Sequence, residues 1–167
     1  MFATGASDSH RINYSPTGYP RTCLKVNTDD PHQLTPNMVR DAAAAGHSTV
    51  SGGVYVDAHV GTAGPGDDVT GAPASLSVHV RVQAASWVDV DTVELVVDGV
   101  TIDTIAILPG DANPANETIR FEKDLPIQVA PGKGSYVIIA AYGDHDLSPV
   151  HPGHMPFGVT NPIFLSR

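Results

Sequence analysis

Residues 76–83 read Leu-Ser-Val-His-Val-Arg-Val-Gln, and residues 93–105 read Val-Glu-Leu-Val-Val-Asp-Gly-Val-Thr-Ile-Asp-Thr-Ile. In the first stretch Leu76, Val78, Val80 and Val82 alternate with Ser77, His79, Arg81 and Gln83. Successive side chains on a strand point to opposite faces, so this period of two predicts a half-buried strand. In the second stretch alternating apolar residues flank Asp98-Gly99. A type I′ turn needs positive φ at both central positions, which Asp-Gly supplies, so the stretch predicts a hairpin. Further strands are expected over 22–26, 118–123, 127–130, 135–142 and 162–165, separated by Gly- and Pro-containing turns. Short strands at this spacing predict a mainly β fold, an Ig-like antiparallel β-sandwich over 54–167. Trp87, the only tryptophan, is expected to plug one end of its core.

Residues 1–53 differ in character and read as a separate unit. Gly5, Asn13, Pro16, Gly18, Pro20, Asp29, Asp30 and Pro31 break almost every run there, which predicts an irregular arm. One short α-helix is expected in the stretch Thr-Pro-Asn-Met-Val-Arg-Asp-Ala-Ala-Ala-Ala-Gly-His at 35–47. Thr35 can cap it, Pro36 suits its first position, the alanines favour continuation and Gly46 suits a left-handed stop. Met38, Val39, Ala42 and Ala45 form a modest apolar face that needs covering. The arm is expected to fold back on the sandwich or to pair with a second copy as a homodimer.

Composition removes several classes of function. Nine Lys+Arg against 18 Asp+Glu give a net charge of -9 over 167 residues, which repels a nucleic-acid backbone, so no nucleic-acid partner is expected. No apolar run approaches the roughly 20 residues of a membrane-spanning helix. The start has no basic segment leading into an apolar stretch, so no signal peptide is read, and a parent protein with a secreted or periplasmic address stays open. Cys23 is the only cysteine, which excludes an internal disulfide and a CxxC zinc site.

The opening stretch Gly5-Ala6-Ser7-Asp8-Ser9-His10-Arg11 carries the sharpest chemistry. On an extended segment Asp8 and His10 would point the same way and could reach one metal ion. Ser-Asp-Ser-His-Arg at 7–11, Gly-Tyr-Pro-Arg-Thr at 18–22, Thr-Asp-Asp-Pro at 28–31, the Pro36 helix and Ser-Gly-Gly at 51–53 follow one another in order. This series resembles the end of the catalytic domain of metal-dependent hydrolases of the polymerase-and-histidinol-phosphatase (PHP) family, especially the CehA/McbA-like branch. The resemblance covers about residues 3–55 by motif and the rest by element order alone.

The resemblance implies that residues 1–53 are the remnant of a distorted β/α barrel, whose last strand carries the final metal-binding pair, here Asp8 and His10. The ion would be Zn, Mn or Fe. Arg11 and Arg21 would lie near the mouth of the site and bind substrate, their guanidinium forks suiting a phosphate or sulfate ester. The family's N-terminal His-x-His, its middle Glu and His ligands and about six barrel strands have no counterpart here. A multi-metal hydrolytic site needs ions held a few ångströms apart. The chain is therefore expected to be the C-terminal fragment of a PHP-type phosphoesterase, inactive alone, partnered by the missing barrel or a second copy, with the sandwich as accessory domain.

Other features have plainer readings. His145, His151 and His154 with Asp144 and Asp146 could bind Zn²⁺ or Ni²⁺, but they sit in a Pro/Gly-rich stretch where solvated loop residues are expected. His79 falls on the polar side of its strand, and His32, His47 and His59 have no partner at useful sequence spacing. Carboxylate-bearing loops at Gly66-Asp67-Asp68 and Gly110-Asp111-Ala112-Asn113 fit turns better than Ca²⁺ loops. The alternative reading of the whole chain is a stand-alone β-sandwich binding or structural module, with Asp8 a turn residue and His10 on the surface.

Overall fold

A computed structural model describes residues 1–11, 17–129 and 134–167. The alternating valines form β5 (Ser75–Ala84), with Val78, Val80 and Val82 fully buried. β5 lies between β3 (Val54–His59) and β8 (Ile119–Gln128), antiparallel to both. β8 joins most of the stretches expected at 118–123 and 127–130 into one strand; Thr118 and Val129 fall just outside it, and Ala130 lies outside the described residues. Pro126 does not end it, because β8 pairs on one side only and an edge strand spares a donor.

The second sheet is built around β9 (Ser135–Tyr142). On one side runs β6 (Thr92–Val97), then β7 (Val100–Ala106). Asp98 and Gly99 between them have φ of 52° and 79°, the doubly left-handed pair that the hairpin reading requires. Two short strands share the other side of β9: β10 (Phe157–Thr160) against its C-terminal half and β11 (Ile163–Ser166) against its N-terminal half. Beyond β10 come β2 (Ser48–Gly52) and β1 (Arg21–Leu24), while β4 (Asp68–Thr70) runs parallel to β11. The two sheets share one core, in which Val56, Val80, Phe121 and Ile127 of the first meet Val93, Leu95, Ile139 and Leu165 of the second.

The helix forms as expected. α1 (Pro36–Ala45) is capped by Thr35, whose hydroxyl accepts from the Met38 N–H, and it stops at Gly46 with φ 75°. Of its apolar face Ala42 is buried, whereas Val39 stays exposed. The arm folds back on the body through hydrogen bonds. The Asn161 side chain accepts from Ala3 N–H at 2.8 Å and donates to Ala3 O and Ser48 Oγ, and Thr22 Oγ1 bonds both N–H and C=O of Gly5. The boundary at 53/54 falls where the chain passes from one sheet to the other. Gly53, at φ 98°, makes that crossing between β2 and β3, so β1 and β2 of the 1–53 segment are hydrogen-bonded parts of the sheet holding β10. Among the described residues no helix is long and apolar enough to cross a membrane.

Trp87 corrects an expectation. It is 52% exposed and plugs nothing; Val88, 3% exposed, fills the end of the core instead. Val88 N–H bonds Ala85 O, closing a turn with Ser86 and Trp87 at its tip, and Arg120 Nη2 donates to Ala85 O, Ser86 O and Val88 O. Holding those carbonyls fixes the turn so that Val88 faces inward and the indole faces out.

Candidate functional site

Asp8 and His10 lie close together, although not on a strand. Asp8 has φ 48°, a left-handed conformation that Asp tolerates better than most residues, so the backbone turns here. The turn brings His10 Nδ1 to 2.6 Å from Asp8 O. A carbonyl only accepts, so in the neutral ring Nδ1 carries the proton and the lone pair belongs to Nε2. Nε2 stands 3.7 Å from Asp8 Oδ1, and the two side chains are 76% and 90% exposed. Two ligands on a tetrahedral ion at about 2.1 Å stand about 3.4 Å apart, so the pair fits one ion with a shift of a few tenths of an ångström. No third His, Cys, Asp or Glu among the described residues joins them in a cluster. Arg11, beside His10, is exposed; Asn13 and Pro16 of the arm lie outside the described residues.

Arg21, at the start of β1, lies in a different setting. It lines a cleft of about 240 Å³ at one end of the two-sheet body, with Tyr19, Trp87, Leu147, Val150 and His151. Three loops converge there: the approach to β1, the 85–88 turn after β5, and the 147–151 stretch after β9. Tyr19 is fixed by donating its hydroxyl to Met155 O at 2.7 Å and by edge contacts with His154 and Phe157. Burial raises the Tyr19 phenol pKa, so it stays a neutral donor. Leu147 is buried and forms floor, while Trp87 and Val150 stand open at the rim. Arg21 is legible in the sequence as a candidate but the cleft is not, because its walls come from positions as far apart as Gly18 and His151 and carry no local motif.

The one cluster of three potential ligands among the described residues is Asp89, Asp144 and His145. His145 Nδ1 lies 2.8 Å from Asp89 Oδ2 and 2.7 Å from Asp144 Oδ1. The hydrogen bond to Asp89, then the charge of Asp144, raises the His145 pKa, and the same hydrogen bond lowers that of Asp89. Both carboxylates face the one Nδ1, so the three groups pair with one another without an ion. Asp146 caps its own loop, accepting from Ser148 N–H and Gly153 N–H. His151 and His154 turn toward Tyr19 instead of this cluster.

The histidines without local partners find distant ones. His47 Nε2 lies 3.1 Å from Asp67 Oδ1, and the His59 ring packs on His79 at 4.7 Å. His79 in turn faces Asp124 at 2.9 Å and Glu122 at 3.3 Å. The acidic turns behave as turn chemistry dictates: Asp67 accepts from Gly64 N–H and Asp111 from Leu108 N–H. No protein-family model matches the sequence, and neither the curated proteins nor the solved structures give a match.

Proposed function

We propose that this chain is the C-terminal part of a PHP-type metal-dependent phosphoesterase, with Asp8 and His10 supplying the last two metal ligands and the two-sheet body acting as an Ig-like accessory domain. The Asp8–His10 geometry carries the reading: a backbone carbonyl holds the His10 tautomer that leaves Nε2 free beside the Asp8 carboxylate. Ligating histidines are oriented in this way by a bond to their other nitrogen. A bound divalent ion would polarise a phosphoryl oxygen and lower the pKa of water. Two ligands hold an ion weakly, so the remaining ligands come from a barrel outside this chain or from a second copy. The Ig-like assignment is supported by strand order, since β3-β5-β8 opposes β7-β6-β9-β11 through one core.

A second reading has its own observation. Residues 3–5 and strands β1 and β2 are tied into the sheet by Asn161, Thr22 and β10. A body so closed on itself suits an independent binding module.

Mn²⁺ titration followed by amide NMR separates the two. Broadening centred on residues 7–10, lost in Asp8→Ala and His10→Ala, is the expected result. Broadening confined to residues 89 and 144–145, or none below millimolar Mn²⁺, refutes the ligand assignment. Hydrolysis of bis(4-nitrophenyl) phosphate by the full natural protein carrying this sequence tests the activity, and the Asp8→Ala form should lose it.

A further inference from the structure

The cleft holding Arg21 combines four features that independently restrict its occupant. Its floor is aliphatic, formed by Leu147 and Val88, and Val150 adds to the rim. Two aromatic rings, Tyr19 and Trp87, form walls, one fixed by hydrogen bonding and one held out by the 85–88 turn. A guanidinium stands at the edge: Arg21 Nη1 lies 3.7 Å from where a Cβ on Gly18 would be, so the head group folds over that turn. Among the described residues Arg21 has no ion-pair partner, in a chain whose acidic residues outnumber its basic ones two to one. Finally, the His151 ring lines the cleft and packs on Tyr19 at 5.7 Å, its buried Nδ1 having no hydrogen-bond partner among the described residues.

We infer that this cleft binds a single six-membered aromatic ring bearing an anionic group, a carboxylate or a phosphate, with the ring between Trp87 and Tyr19 and the anion on Arg21. A volume of about 240 Å³ falls just below the ~300–1,000 Å³ of sites for drug-sized ligands, which suits one ring. A sugar would need several polar groups for its hydroxyls, whereas this cleft offers an aliphatic floor with polar side chains at Arg21, His151 and the Tyr19 hydroxyl, already committed to Met155 O. A guanidinium engages carboxylate and phosphate oxygens in a two-pronged bond. The site is independent of Asp8 and His10, so loss of one assignment leaves the other standing.

Trp87 is the only tryptophan and stands at the rim, so its fluorescence, excited at 295 nm, reports occupancy directly. Titration with phenyl phosphate and with benzoate is expected to give a saturable change for at least one. Arg21→Gln should raise Kd at least tenfold with the fold intact, since Arg21 is exposed on an edge strand. Trp87→Ala, followed by the amide shifts of residues 147–151, should weaken binding by a similar factor. Inorganic phosphate alone should give no saturable change. Linear quenching identical in the parent and Arg21→Gln overturns the inference, as does an equal response to inorganic phosphate or a response to glucuronate alone.

Discussion

Replacing Asn161 by Ala tests whether the arm belongs to the folded body. The Asn161 side chain is 2% exposed and makes three bonds: from Ala3 N–H at 2.8 Å, to Ala3 O at 3.2 Å and to Ser48 Oγ at 2.7 Å. Each intramolecular hydrogen bond contributes about 0.5–1.5 kcal/mol net, and a buried group left without a partner costs about 1–3 kcal/mol. Ser48 is buried and loses this partner, whereas Ala3 can turn to water. The expected loss is therefore about 2–4 kcal/mol. With a urea m-value of about 2 kcal/mol/M, the midpoint should fall by about 1–2 M at unchanged m. Urea unfolding followed by circular dichroism measures this, and hydrogen exchange at Ala3 reports release of the arm. Asn161→Asp keeps an acceptor for Ala3 N–H but removes both donated bonds, so it should cost nearly as much. A loss under 1 kcal/mol in both variants, with Ala3 exchange unchanged, would refute the argument that these bonds fasten the arm to the corner between β10 and β11.

Three further outcomes follow from the packing and the charges. Phe121, fully buried in β8, should cost about 3–5 kcal/mol when cut to Ala, read as a drop in unfolding midpoint. Gly158 lets β10 approach β3: a Cβ there would lie 2.6 Å from Val54 O and 2.9 Å from Val56 Cγ2. Gly158→Ala should therefore destabilise by about 1–3 kcal/mol, lowering Tm by about 2–4 °C per kcal/mol for a chain of this size. His145 has a raised pKa and Asp89 a lowered one. The His145 contribution is fully present below its unfolded pKa of about 6.5 and is lost as pH rises through the folded value. The Asp89 contribution is present above its unfolded pKa of about 3.9 and is lost as pH falls through the folded value. The Tm gap between parent and His145→Ala should then be widest between about pH 4 and pH 6.5 and close toward pH 9; a gap constant from pH 4 to pH 9 would contradict this pairing.

What could be read from the sequence was local. The Asp98-Gly99 hairpin and the Thr35–Gly46 helix declared themselves because turn and cap chemistry reside in two to four neighbouring residues. β5 did so because one of its faces is buried and the other is not, which imposes the period of two. β2 was missed for the complementary reason: all five of its residues are buried, and Ser-Thr-Val-Ser-Gly carries no alternation. Its Thr49 hydroxyl is satisfied by Val56 O across the core, a partner that no pattern in the sequence marks. β10 was hidden likewise, since Phe-Gly-Val-Thr reads as a turn-rich stretch until Gly158 is seen against the backbone of β3.

The same division governs the two candidate sites. Asp8 and His10 are two residues apart, so the sequence brings them together whether the backbone is extended or turned, and the pair was visible at once. Their orientation was not, because a left-handed Asp8 replaces the strand geometry that the spacing alone suggests. The cleft is the opposite case. Trp87 drew attention as a core residue, and only the three carbonyls gathered by Arg120 reverse that reading by fixing the turn with Val88 inward. The turn that carries the indole is hydrogen-bonded through its backbone, and Tyr19 is itself hydrogen-bonded in place, so folding has already met part of the ordering entropy of this surface. A ligand entering this cleft would have to order the indole itself but not the turn or the phenol, and this partial preorganisation is what favours binding in so small a cleft.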